Sequence, residues 1–278
     1  MSRYQLLAID VDGTLVNSHD ELTPATRAAL ARAGQAGIHV VLATGRRYSQ
    51  TLRLVEPLGI DVPLVTGSGA LVKDPLDHRT LYCAQFDRDV LCRALAIIDH
   101  CGHDVLLCGD TFAAGFDYYQ ADRAARGPEL AEYLSLNRDC GRVWPGMKTD
   151  PPQDVFGGFA MGSQPQMLAL ESCLHQGLPG KLSTHVLRSP RYRGFMCELA
   201  PAGVTKWSAI RRLAGLWGIP DEAICAVGDD VNDIPMIRAA GLGIAMGNAL
   251  PSVKAAAARI APTHDDDGLV QVVAWLLE

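Results

Sequence analysis

The chain has 278 residues, 48% of them apolar, and its 25 basic and 31 acidic side chains give a formal charge of −6. That length allows a sizeable core in one or two domains, while the acidic balance argues against a nucleic-acid partner, which needs clustered Lys and Arg. Eight cysteines without a C-x-x-C pair read as reduced packing residues, and a cytoplasmic location without a membrane partner is expected, because Asp10 interrupts any leader and no apolar run nears ~20 residues.

Strand one is expected at "LLAID". The stretch "LTPATRAALARAGQAG" follows as a helix with Thr23 at its N-cap and Pro24 at its first position. "IHVVLATG" reads as a second buried strand that turns into a helix near Arg46 or Arg47, and "PLVTGSGAL" as a third strand. Late in the chain the alternation returns. A helix from near Thr205, the strand "AICAVGDD", the helix "DIPMIRAAG", the strand "GIAMGN", a helix near 250–258 and a last helix over 268–278 complete the pattern. Asp265 to Asp267 read as a start signal for that last helix. Two α/β blocks, 1–84 and 200–278, thus flank a different middle, 85–199, with the helix "RDVLCRALAIIDHCG" and strands at "DVLLC", "VFGGFAM", "THVLRS" and "GFMCEL". The expected fold is α/β, a parallel sheet core covered by helices, with an inserted domain of α+β character.

Ligands of open parallel sheets bind beyond the carboxyl ends of the strands, so the polar residues there carry the functional argument. Asp10 and Asp12 leave the first strand one residue apart. Two such carboxylates coexist most easily with a cation between them or a proton on one of them. A calcium loop over Asp10, Asp12, Thr14 and Glu21 fails at Leu15, where the sharp turn wants glycine. "GDDVND" follows the apolar run "ICAV", so Asp229 can meet Asp10 across the crevice, and an oxygen-rich pair suits Mg²⁺. "ATGR" adds the Thr44 hydroxyl and the outward N–H groups of Gly45 and Arg46, which favour an anion; Lys206 adds an ammonium. Together these make a carboxylate nucleophile, a proton-passing neighbour, a cation site and groups for phosphate oxygens. The inventory fits phosphoryl transfer.

The ordered set "DVDGTLV", "ATGR", Lys206 and "GDDVND" resembles the haloacid dehalogenase superfamily, specifically its Cof-type sugar-phosphatase branch with a large cap between the second and third motifs. The resemblance implies a Rossmann-like parallel sheet core with an inserted α+β cap domain, and Mg²⁺ held by the side chains of Asp10 and Asp229 and the carbonyl of Asp12, with Asn232 and Asp233 beside it. It implies that Asp10 attacks phosphorus and that Asp12 protonates the leaving alcohol and then activates water. Thr44 and Lys206 would bind the phosphoryl group, with Lys206 also restraining Asp10. The expected partner is a small phosphorylated metabolite, a sugar phosphate or a phosphorylated cofactor, hydrolysed as a phosphate monoester.

"VTGSGAL" departs from the branch, with Gly67 and Ser68 where many relatives carry asparagines. Two alternatives stand beside the phosphatase: a phosphomannomutase-like phosphotransferase, and a metal-binding regulator without turnover. In the cap, "LRSPRYRG" offers Arg188, Arg191, Tyr192 and Arg193 for an anionic substrate, although a solvated basic loop is the simpler account of them. Oligomeric state is not readable.

Overall fold

In the computed structural model of the chain, residues 3–55, 63–122, 125–189 and 191–278 are described. They form two compact units, Met1–Tyr82 with Thr205–Glu278, and Cys83–Val204. The second crossing falls a few residues beyond the expected one because the last strand of the inserted unit continues to Pro201. Among the described residues no helix is long and apolar enough to cross a membrane.

The first unit starts from an apolar run. Leu6–Ile9 is wholly buried and forms β1; α1 (Pro24–Gln35) follows, with the Thr23 hydroxyl accepting the Thr26 amide at 3.1 Å. β2 (His39–Ala43) and α2 (Tyr48–Val55) come next. The expected third strand is instead a hairpin, β3 (Leu64–Thr66) and β4 (Leu71–Lys73), paired antiparallel. Gly67, Ser68 and Gly69 all take positive φ, which reverses the chain there. β5 (Thr80–Cys83) closes this edge.

The inserted unit contains α3 (Arg88–His100), β6 (Val105–Gly109), β7 (Tyr118–Gln120), α4 (Pro128–Leu136), β8 (Gly141–Val143), β9 (Val155–Gly162), α5 (Gln164–Gly177), β10 (Leu182–Arg188) and β11 (Phe195–Pro201). Its six strands lie in the order β10-β11-β9-β6-β7-β8, antiparallel except between β7 and β8. Both faces are covered. Val105 and Leu107 pack with Leu95 of α3 and Leu170 of α5, whereas Leu106 packs with Leu130 and Tyr133 of α4. That two-sided packing explains why every residue of β9 is buried.

The chain returns to the first unit with α6 (Lys206–Leu216), β12 (Ile224–Gly228), α7 (Ile234–Ala239), β13 (Leu242–Ala245), α8 (Pro251–Lys254), β14 (Arg259–Ile260) and α9 (Gly268–Leu277). The eight strands run β14-β13-β12-β1-β2-β3-β4-β5, parallel from β14 to β3. A helix was expected across 250–258, but only its first turn forms before β14 adds an edge strand. The acidic triplet also differs from expectation: the Asp267 carboxylate accepts the Thr23 and Thr26 hydroxyls instead of capping α9, and Asp265 accepts the Ser18 amide at 2.8 Å. None of the eight cysteines, all among the described residues, is in a disulfide, but only Cys197 and Cys225 are buried.

Candidate active site

β1 has β2 on one side and β12 on the other, so the strand order reverses at β1 and opens a crevice beyond the carboxyl ends. Asp10, Thr44 and Asp229 leave these three adjacent strands there. The Asp10 amide donates to the Val227 carbonyl at 3.0 Å, and the Thr44 amide to Val65 at 2.9 Å, which fixes both exits.

Between Asp10 and Asp229 the chain makes a sharp turn. Gly13 has φ +73°, and a Cβ there would lie 2.2 Å from Asp229 Oδ2. Thr14 then donates its hydroxyl to Asp229 Oδ1 at 3.2 Å. The Gly13→Ala variant is therefore expected to lose activity and about 1–3 kcal/mol of stability, the usual cost of forced backbone strain; calorimetry and an activity assay check both.

Lys206 arrives from the other side. The Thr205 hydroxyl caps α6 by accepting the Ser208 amide at 3.1 Å, and Gly69 lets the β3–β4 turn touch this helix start, since a Cβ there would lie 2.1 Å from Thr205 O. Lys206 Nζ consequently sits 2.6 Å from Asp10 Oδ1 and 2.6 Å from Asp233 Oδ1, with all three side chains at most 6% exposed. Asp233 Oδ2 accepts the amides of Asp229 and Asp230 at 2.9 and 3.1 Å. Both its oxygens are thus engaged, and it fastens the lysine to the loop after β12.

Burial drives the electrostatics. It pushes the Asp10 carboxyl well above the ordinary range, with Asp233, Asp229 and Asp12 adding to the effect and Lys206 opposing it. Burial likewise pushes Asp229 up to about 7, helped by the charges of Asp233 and Asp230. For Lys206 burial works downward, but Asp10 and Asp233 outweigh it and hold the ammonium firmly protonated. Carboxylate oxygens of Asp10, Asp229 and Asp233 lie within 4.8 Å of one another. Three carboxylates against one ammonium leave a negative excess. An all-oxygen donor set of that charge fits a hard divalent cation.

The remaining expected residues lie close by in different roles. The Thr44 hydroxyl accepts the Arg46 amide at 3.0 Å, a cap on the turn through Gly45. Asn232 is buried in the turn before α7. The Asp12 carboxylate is turned to Arg46, whose Nε and Nη2 reach it at 2.9 and 2.7 Å. The Arg46 amide, expected to face an anion, is therefore turned to the Thr44 hydroxyl, and the Arg46 guanidinium is engaged by carboxylates of the protein.

A model of the haloacid dehalogenase-like hydrolases matches residues 7–273 of this sequence. The chain belongs to that family. This haloacid dehalogenase-like hydrolase is 29% identical to phosphatase YwpJ of Bacillus subtilis over 98% of its own length and all of the relative's. It is 25% identical to the 5-amino-6-(5-phospho-D-ribitylamino)uracil phosphatase YitU of the same organism, over 96% and 95% of the two chains. A solved haloacid dehalogenase-like hydrolase from Bacteroides thetaiotaomicron superposes with a TM-score of 0.78 at 26% identity, covering 98% and 99%. By class the chain is a phosphoric monoester hydrolase of the Cof type.

Two contributors in this hydrolase escape sequence reasoning. Asn248, just past β13, donates to the Gly13 carbonyl at 2.8 Å and lies 3.5 Å from Asp229 Oδ2. Its own carbonyl accepts the His264 amide at 3.0 Å, while His264 Nδ1 donates to Val16 O at 3.0 Å. Asn248 was findable, because "MGNA" also leaves the carboxyl end of a parallel strand; His264 carried no such signal.

In the inserted unit, Arg188, Arg191 and Arg193 are exposed, and Pro190 lies outside the described residues. Tyr192 stacks edge-on against Tyr133 at 4.6 Å and meets Asn137 through its hydroxyl, so it packs the loop down.

Proposed function

We propose that this hydrolase is a Mg²⁺-dependent phosphatase that cleaves a phosphate monoester of a small metabolite through an aspartyl-phosphate on Asp10. The observation that carries the reading is the buried Lys206 bridge, 2.6 Å from both Asp10 and Asp233, beside Asp229 at the strand-order reversal. It holds one oxygen of Asp10 and leaves the carboxylate its second oxygen for attack.

In this mechanism an Asp10 oxygen attacks phosphorus in line, and the bond from phosphorus to the substrate oxygen breaks as the new one forms. Asp12 gives its proton to the departing alcohol. It then takes a proton from the water that attacks the aspartyl-phosphate, restoring Asp10 and releasing phosphate. Thr44, the Gly45 amide and Lys206 bind phosphoryl oxygens, and Asn232 orients a substrate oxygen. Asp10 and Asp229, with the Asp12 carbonyl, would hold the cation and Asp233 would support that shell through Lys206; when bound, Mg²⁺ offsets the negative charge that substrate and carboxylates bring together.

Relatives support a small substrate, since one is named for a phosphorylated ribitylaminouracil. A panel of phosphorylated sugars and cofactors, read by free phosphate release, tests the assignment. Chelation with EDTA is expected to remove nearly all release and excess Mg²⁺ to restore it. Turnover unaffected by chelation would overturn the cation dependence, and isomerisation of a hexose phosphate without release would point to a mutase.

A further inference from the structure

Asp20 takes no part in the steps above, yet it contacts the active-site arginine from an unusual backbone conformation. Its φ is +62°, a left-handed value that Asp and Asn tolerate better than most residues. Such conformations persist where the surroundings over-determine them. Here the Asn17 carboxamide oxygen accepts the amides of His19 and Glu21, each at 3.0 Å. The Asp20 amide donates to Asn17 O at 3.0 Å, and the Asn17 amide to Glu21 O at 3.0 Å. This tied turn delivers the Asp20 carboxylate to Arg46 Nη2.

The same Nη2, together with Nε, grips both oxygens of Asp12. Arg46 is 5% exposed, against 29% for Asp12 and 47% for Asp20. A planar guanidinium held by a second carboxylate keeps its plane, and a bidentate fork transmits that plane to the carboxylate it binds. We propose that Asp20 and Arg46 are positioning residues for Asp12, with Asp20 fixing the guanidinium and the guanidinium aiming the Asp12 carboxyl at the leaving oxygen. This rests on Asp12 being the proton donor of the phosphatase reading.

The test exploits leaving groups. A nitrophenolate departs without a proton, whereas an alkoxide needs one, so a misaimed donor penalises alkyl phosphates selectively. The full-length protein and its Asp20→Asn variant, which keeps a residue suited to the left-handed turn, are compared on p-nitrophenyl phosphate and on a sugar phosphate. The variant is expected to lose about tenfold more kcat on the sugar phosphate than on the aryl ester, a part of the 10²- to 10⁴-fold that a positioned acid supplies. Arg46→Lys, which keeps the charge and removes the fork, should show the same selectivity more strongly. Equal losses on the two esters, a rise in KM with unchanged kcat, or no loss at all would overturn the positioning role. Wild-type protein inert on every phosphate monoester would overturn the phosphatase reading itself, and this inference with it.

Discussion

Replacing Asp10 by Asn is expected to abolish phosphate release while leaving the protein folded. The carboxamide has almost the same shape, but its oxygen is a poor nucleophile and cannot form a stable phosphoryl ester. The loss should be on the order of 10³-fold or more, as for other catalytic nucleophiles. Folding should tolerate the change. Asp10 is 4% exposed, and burial raises its pKa, so ionising it there costs free energy that Asn does not incur. Lys206 keeps its contact with Asp233 at 2.6 Å. Trapping with labelled substrate should phosphorylate the wild-type chain and not the variant. Substantial turnover by Asp10→Asn would reject the nucleophile.

Much of this site was legible because parallel strands advertise themselves as apolar runs and bind ligands at one end. β1, β2 and β12 each appear in sequence as such a run followed by polar residues, and the residues that leave them meet in space. Side-chain partnerships were less legible. Nothing in the spacing of Asp12, Asp20 and Arg46 says that one guanidinium serves both carboxylates, because that depends on how the turn held by Asn17 folds back. "VTGSGAL" reads as one strand by composition; only consecutive positive φ values, which glycine permits and Ser68 adopts as well, make it a hairpin. α5 lay unassigned although Met167, Leu170 and Leu174 carry helical spacing, with Ser163 and Gln166 forming its capping box. Asp267 shows the opposite failure: a plausible helix-start signal is overridden by the two threonine hydroxyls that α1 brings to it.

Replacing Lys206 by Met should have the largest combined effect on stability and activity. Methionine nearly fills the volume but supplies no charge, so Asp10 and Asp233, at most 6% exposed, lose the ammonium that both touch. Removing one partner from a buried ionic cluster costs about 3–5 kcal/mol, which for a chain of this size lowers the melting temperature by on the order of 10 °C. The carboxylates of Asp10, Asp229 and Asp233 remain within reach of one another, so saturating Mg²⁺ should recover part of the loss and raise the variant's melting temperature more than the wild type's. Activity should not follow, because the ammonium that restrains Asp10 and meets the phosphoryl oxygens is gone. Differential scanning calorimetry with and without Mg²⁺, beside a phosphate-release assay, separates the two effects. An unchanged melting temperature would mean that the ammonium does not offset the buried charges. Recovered turnover in Mg²⁺ would mean that its contact with Asp10 is dispensable to the chemistry.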